Sequence, residues 1–354
     1  MFVRDFQERH AVWLARLAVV LALLISAWWV FGDVPQPPSP DAKEEVIYRD
    51  RDLYNEVIGA VARGENYYAA AAELHRKHEY PTTPWVTVRL PTQAWVSAWL
   101  GQDHTLLLIR ALVLAAAAAW MGALFLAGYS PFEVLAAGIA VLAGGFIVFY
   151  DHYFLHEFWA GAILALAFAL YRPGRPWLTI ALVICACAVR EFSVLVIGTG
   201  LVLCAIEKRK GEGAGWLLAG LAVAAFYFWH AQQVIAIRLP GDEISQGWSA
   251  MIGPVRALYA VAANSIYRAP GFAIGGVLLI VSVFGLLAAR ERAWLIAPVA
   301  GAWIVVIALL SRPENYYWSQ FLLPWLPVGL VLFPRLVLTA LKRAKPQKTR
   351  LRMQ

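Results

Sequence analysis

The chain has 354 residues, of which 61% are hydrophobic and only 15% charged, whereas soluble domains carry roughly 25% charged residues. Together with a mean hydropathy of +0.61, this balance excludes a soluble globular protein. The formal net charge of +7 does not indicate a nucleic-acid partner, because in a membrane protein the placement of Lys and Arg matters more than their sum.

The first apolar run, Ala11 to Phe31, reaches the roughly 20 residues that a bilayer-crossing helix needs. It is followed by Val34-Pro-Gln-Pro-Pro-Ser rather than a small-residue cleavage site, which predicts a retained first helix. The longest polar stretch follows, residues 32–104, opening on Pro35, Pro37, Pro38 and Pro40. From Asp52 to Ala62 the apolar residues Leu53, Val57, Ile58 and Val61 recur at helical spacing, and Gly64 supplies a stop. This pattern predicts a short amphipathic helix lying on the membrane. A second amphipathic helix is expected from Asn66 to His78, and a third from Pro91 to Leu100, with Trp95 and Trp99 on one face. Together the three would roof a cavity.

Further crossings are expected near Thr105 to Gly128, Pro131 to Phe149, Glu157 to Tyr171, Pro176 to Val189, Phe192 to Ile206, Gly215 to Ile237, Gly271 to Ala289, Ala293 to Leu310 and Gln320 to Leu341. With the first helix this gives an all-α polytopic membrane protein of about ten spans, one transmembrane domain over residues 1–354. Parity turns on Pro176 to Ile206: one long helix would put Lys208, Arg209 and Lys210 outside, so two short helices meeting at Arg190-Glu191 are expected. A cytoplasmic N-terminus then places Arg4, Arg9, Arg16, Arg172, Arg175, Arg290, Arg292 and the basic tail, residues 342–354, on one side, with the C-terminus cytoplasmic too. That tail also reads as an anchor to anionic membrane lipids. A second long extracytoplasmic loop covers residues 238–270. Cys185, Cys187 and Cys204 all lie in apolar runs and offer no disulfide framework.

Four ionisable clusters fall on the outer side of this topology. Asp50, Asp52 and Glu56 follow the first helix; carboxylates there can accept a proton, although Arg49 and Arg51 also allow a plain solvated charged turn. Arg190 and Glu191 break an apolar stretch, where ionisable groups are costly and face a cavity or a partner; Arg190 offers a planar fork for phosphate that Glu191 orients, or the two form an internal ion pair that fixes the helix hairpin. Asp151, His152, His156 and Glu157 form a third cluster; the four-residue His spacing permits a metal site, but without HExxH order or a second ligand cluster it reads as hydrogen bonding to interface or substrate. Arg312-Pro-Glu-Asn-Tyr-Tyr-Trp is the fourth, where aromatics mark the interface belt. The loop over 238–270 adds Arg256.

On these residues the sequence resembles the GT-C superfamily of polytopic glycosyltransferases. The likeness lies in the first helix, a long outer loop with the early acids of Asp50-Arg-Asp-Leu-Tyr54, the strings Gly64-Glu-Asn-Tyr67 and Arg89-Leu-Pro91, and the pieces His156-Glu-Phe-Trp-Ala-Gly161 and Arg190-Glu191. The resemblance implies transfer of a hexose or pentose from a polyprenyl-phosphate-linked donor to a glycan or lipid acceptor on the extracytoplasmic face of the membrane; Ala-rich helices and short connections fit a bacterial inner membrane, with the endoplasmic reticulum as the alternative. It implies a first-loop acid as general base, Asp50 in first place and Asp52 in second. Arg190, helped by Arg89, Arg256 or Arg312, would hold the phosphate leaving group, with Tyr54, His156 and Glu157 also at the substrate. The proline pair usual after the basic residue is absent, since Thr92 follows Pro91. No cofactor is assigned, and a divalent cation stays open. The competing reading is a transporter or flippase for a lipid-linked or anionic solute, which internal repeats and broken midplane helices usually mark; no internal repeat is seen, the ionisable residues gather at one face instead, and a non-catalytic scaffold would need no converging acids and arginines.

Overall fold

The computed structural model describes residues 2–32, 40–146 and 154–342. Among these the chain is all-helical, its one β-type contact being an isolated parallel bridge between Thr83 and Ile244. The helices are α1 (Phe2–Phe31), α2 (Pro40–Ala62), α3 (Tyr67–Lys77), α4 (Thr92–Leu100), α5 (Gln102–Leu126), α6 (Pro131–Gly144), α7 (His156–Leu170), α8 (Trp177–Val189), α9 (Val194–Glu207), α10 (Lys210–Ala236), α11 (Gly253–Ala263), α12 (Phe272–Gly285), α13 (Ala293–Leu310) and α14 (Val328–Leu341). Four stretches, His10–Phe31, Gln102–Leu126, Lys210–Ala236 and Arg290–Leu310, are long and apolar enough to cross a membrane. Large apolar side chains such as Leu107, Phe125, Phe132, Leu218 and Phe228 stand exposed on the outside of the bundle, as expected where lipid rather than water covers the surface. This is a membrane protein.

Helix α7 forms the axis of the bundle. Its sequence is mostly small and apolar, and all of it from His156 to Ala165 is buried, because Ala and Gly let neighbouring backbones approach closely. A Cβ on Gly161 would meet the carbonyls of Gln320 and Phe321. Those carbonyls belong to a segment that enters the bundle without regular α-helix: a 3₁₀ stretch, Pro313–Phe321, then turns up to the start of α14. Irregular backbone at membrane depth is tolerated only where protein buries it or it lines a cavity. Here Trp318, Phe321, Leu322, Trp325 and Leu326 are all buried, and the Trp303 indole donates to the Trp318 carbonyl (3.0 Å) while the Gln320 amide donates to the Asn264 carbonyl (3.3 Å). The expected span Gln320 to Leu341 is therefore corrected: the helix begins only at Val328, since Pro324 and Pro327 remove two amide donors and clash with a preceding helical turn.

The break expected at Arg190-Glu191 is present. Helix α8 ends at Val189, Arg190 is extended (φ −145°, ψ 122°), and one 3₁₀ turn, Glu191–Ser193, leads into α9. The three helices after α1 end close to where the periodicity puts them, although α2 begins at Pro40, well before the expected Asp52. Gly64 ends the α2 turn with φ +92°, open to Gly at little steric cost, and the Asn66 side chain caps α3 by accepting from the amides of Tyr68 (2.9 Å) and Ala69 (3.2 Å). Leu53 and Val57, with Ile58 and Val61 beside them, pack on Tyr67, Tyr68, Ala71, Val88, Ala94 and Val234, so α2, α3 and α4 form a small layer seated on the end of α10. Helix α4 buries Gln93, Ala94 and Ser97 and carries Trp95 and Trp99 together on its outward face. Within the loop expected over 238–270, residues 253–263 form a further helix, α11, whose later half is buried.

The two ends of the bundle differ chemically. At one end α5, α9 and α13 finish or start beside Arg172, Arg209, Arg290 and Arg292. There the Arg16 guanidinium donates to the Ala340 carbonyl (2.9 Å), Arg335 pairs with Glu133, and the Tyr129 hydroxyl donates to the Ala288 carbonyl (2.9 Å). At the other end the N-terminus of α7, the α8–α9 break, the C-terminal residue of α13 and the α2–α4 layer surround a cavity. The Pro35, Pro37 and Pro38 turn and the tail from Arg343 onward lie outside the described residues.

Candidate functional site

The cavity has a volume of about 590 Å³ and is walled by residues from four distant parts of the chain. From the layer above come Asp50, Tyr54, Tyr80 and Arg89, from the helix break Arg190 and Glu191, and from the stretch after α13 Arg312 and Tyr317. Segment 243–248, including Glu243 and Trp248, closes one side. A periodicity of 3.6 explains how α2 contributes: Asp50 and Tyr54 are one turn apart beside the Leu53–Val57 stripe, so they sit next to the buried face rather than on top of it.

Asp50 is 8% exposed and accepts a hydrogen bond from the Tyr80 hydroxyl (2.7 Å). Burial raises its carboxyl above the ordinary carboxylate range, against the opposing pull of the Tyr80 hydrogen bond and the Arg89 charge. Asp52 is directed elsewhere: it lies 3.8 Å from Arg51, its side chain is 35% exposed, and it does not line the cavity. The two candidate acids are thus separated by the helical turn that sets one inward and the other toward the outside.

Arg89 extends beside the cavity between two phenols, donating to the Tyr54 hydroxyl (2.9 Å) and to the Tyr317 hydroxyl (3.3 Å). The Asn315 amide donates to the same Tyr317 oxygen (3.3 Å), and the Arg89 carbonyl accepts from Tyr67 (2.6 Å). Its only carboxylate within ion-pair range among the described residues is Glu157, at 4.0 Å. Arg190 is 2% exposed, paired with Glu157 (2.8 Å) and Glu191 (2.6 Å), and lies over the Phe192 ring at 4.3 Å. Glu157 therefore connects the two arginines from below. His156 packs edge-on against Tyr54 with ring centroids 5.0 Å apart. Arg312 pairs with Glu314 (3.2 Å) and reaches the Gln246 side chain (3.4 Å).

A clasp holds the layer over the cavity. Arg76 grips Asp242 with two hydrogen bonds, 2.6 and 3.0 Å, and donates to the Ile237 carbonyl (2.7 Å). The Thr82 hydroxyl adds a third donor to Asp242 (3.1 Å), and the amide of Ser245 donates to the Thr83 carbonyl (2.8 Å). These contacts hold Asp242 down at about 2, the Arg76 hydrogen bond being the main cause. Below them His75 is buried, donating or accepting at the Pro81 carbonyl (3.0 Å), and burial lowers it to about 4, so it is neutral at pH 7.

Of the residues singled out from sequence, Asp50, Tyr54, Arg89, Arg190, Glu191 and Arg312 line this one cavity, and His156 and Glu157 support it from α7. Arg256 does not join them: it is exposed on the early turns of α11, whose buried face points the other way. Asp151 and His152 lie outside the described residues, and no group of three His, Cys, Asp or Glu side chains suited to a metal ion occurs among those described. Tyr80, the direct partner of Asp50, carried no signal in the sequence beyond its type, and Tyr317, the partner of Arg89, stood out only as an aromatic of the Arg312 cluster read as interface belt. Their partners are 30 and 228 residues away, so no local period relates them. Compared with known proteins, the chain matches no protein-family profile, no curated protein and no solved structure.

Proposed function

We propose that this protein is a membrane glycosyltransferase of GT-C type, taking a sugar from a polyprenyl-phosphate donor to a glycan or lipid acceptor at the cavity described above. The supporting observation is the meeting, in one cavity, of a buried carboxylate and three arginines drawn from separate segments. In this reading about ten helices cross a bacterial inner membrane, both termini are cytoplasmic, and the cavity opens at the extracytoplasmic face.

The chemistry asks little beyond what lines the cavity. An acceptor hydroxyl attacks the anomeric carbon, the bond from that carbon to the phosphate oxygen breaks, and the polyprenyl phosphate departs as an anion. The hydroxyl proton passes to Asp50. The raised affinity of Asp50 for a proton suits a general base, because a more basic carboxylate accepts the proton more readily once ionised. Phosphate needs no acid to leave, so the arginine charges carry the remaining task, stabilising negative charge as it grows. Arg89 is the best placed for it, held by neutral phenols rather than saturated by carboxylates.

A transporter or flippase needs a route through the bundle, and the interior beneath the cavity is filled by buried Trp120, Phe168, Trp303, Phe321 and Trp325. This packing favours one-sided chemistry. The test is incubation of the purified protein with a panel of polyprenyl-phosphate sugars and mass analysis of the products. Asp50→Asn is expected to lower turnover by about 10² to 10⁴ with an unchanged unfolding temperature, and Asp52→Asn to leave it within about threefold. Near-normal turnover in Asp50→Asn, alone and combined with Asp52→Asn, rejects the assignment.

A further inference from the structure

At the opposite, basic end of the bundle lies a second cavity of about 940 Å³, larger than the first and sharing no residue with it. Ligand sites commonly span about 300 to 1,000 Å³. Its wall is divided. One part is apolar, made by Ala123 and Leu126 at the end of α5, Leu203 near the end of α9 and Trp294 at the start of α13. The other part is cationic, made by Arg172, Arg209, Arg290 and Arg292, with only Glu207 and Glu291 as lining acids.

The charges do not cancel. Arg209 is matched by Glu207 (2.8 Å) and by Glu212 from behind the wall, yet its Nη2 is buried with no hydrogen-bond partner among the described residues. Arg292 is 6% exposed; its Nε donates to the Ala169 carbonyl (3.1 Å), and its nearest carboxylate, Glu291, is 4.0 Å away and half exposed. Arg290 faces the Tyr129 ring at 5.2 Å rather than a carboxylate, and holds a left-handed backbone conformation, φ +55°, that a side chain with a Cβ adopts only at a cost. Arg172 is exposed at the cavity wall. Several cations kept together in a roomy cavity, one of them buried with a carboxylate only at the limit of pairing, is an arrangement that lacks its counter-ion.

We infer that this cavity binds the phosphate headgroup of an anionic membrane lipid in the leaflet at the basic end. A phosphate diester accepts the forked arginine donors, while the apolar part of the wall takes the first methylenes of the acyl chains. The surrounding surface favours a lipid over a free anion: Phe125, Leu126, Val202 and Ile206, next to the lining residues, project from the bundle as exposed apolar side chains. A soluble phosphate would gain nothing from them.

The test uses the delipidated full chain in native mass spectrometry, titrated with phosphatidylglycerol and, in parallel, phosphatidylcholine. Wild type retains phosphatidylglycerol preferentially. The double variant Arg172→Gln, Arg290→Gln, both positions exposed, loses that preference by about tenfold, since each basic residue near a phosphate surface contributes a several-fold factor; Arg175→Gln, on the same turn but off the cavity wall, keeps it. A phosphatidylglycerol carrying a photoreactive acyl chain should label peptides containing Ala123 to Ala127 and Leu203 to Glu207. Equal retention by wild type and double variant, labelling confined to other helices, or displacement of the lipid by equimolar inorganic phosphate would each overturn the inference.

Discussion

Asp50 and Tyr80 make one acid–base unit. The phenol stabilises the ionised carboxylate, and burial opposes it with the larger effect. Removing the hydroxyl in Tyr80→Phe therefore raises the proton affinity of Asp50 further, and an enzyme that needs the carboxylate ionised loses rate at higher pH than before. The expected result is an acid limb of the rate–pH profile displaced upward in Tyr80→Phe, with the rate above the limb largely kept. A limb that stays in place separates Tyr80 from Asp50. Asp50 was visible in the sequence as an acid one turn before Tyr54, and helical spacing alone places those two together. What spacing could not decide was which of Asp50 and Asp52 turns inward, because a helix boundary that moves by one or two residues rotates the choice. Arg190 and Glu191 were easier to read: a charged pair inside an apolar stretch has few physical resolutions, and a broken helix with paired side chains is one of them.

The Arg76–Asp242 clasp belongs to the scale of elements, for it joins α3 to the segment after α10 and so closes the two long polar loops on one another. Asp242 binds its proton less tightly in the folded chain than in the unfolded one, about 2 against an ordinary 3.8. Its contribution to closure is thus fully present above pH 4 and is lost as the pH falls from about 4 to about 2. Hydrogen exchange of residues 238–248 should accelerate across that window in wild type, whereas Asp242→Asn should exchange fast throughout; an unchanged wild-type rate down to pH 2 removes the clasp from the account. None of this closure was legible in the sequence, where Arg76 falls on the second amphipathic helix, Thr82 and Asp242 on separate polar stretches, and no local period relates them. Nor was the irregular stretch 320–327. From Phe321 its hydropathy runs on unbroken into α14, and hydropathy reports burial without telling a helix from backbone wedged between helices; only Pro324 and Pro327 hinted at the difference. Where local pattern and burial agree, as at the Gly64 and Asn66 punctuation, the end of α2 and the bounds of α3 stand nearly to the residue, while the start of α2 at Pro40 had no such signal.

At the scale of the whole molecule, the helices separate two cavities of different character, one mixing acids with arginines under a polar roof and the other lined by arginine and apolar residues. In the proposed orientation a membrane-impermeant maleimide applied to intact cells should label Glu79→Cys, at the rim of the first cavity, in a background without native cysteines. Arg175→Cys, beside the second, should react only after permeabilisation. Labelling of both from one side would invert or collapse the arrangement. The proposal of this orientation rests on the gathering of Lys and Arg in the short turns of one end, a signal carried by position and independent of any motif.

The outward indoles of α4 bear on how this architecture meets bilayers of different thickness. Trp95 and Trp99 sit on the same small layer that carries Asp50 and Arg89, and indole rings settle at the boundary between headgroups and acyl chains. In the proposed orientation they would act as floats for the roof. A thicker or thinner membrane is then accommodated by tilt of the long helices below, while the carboxylate and the arginines keep their depth relative to the plane where a lipid's phosphate emerges.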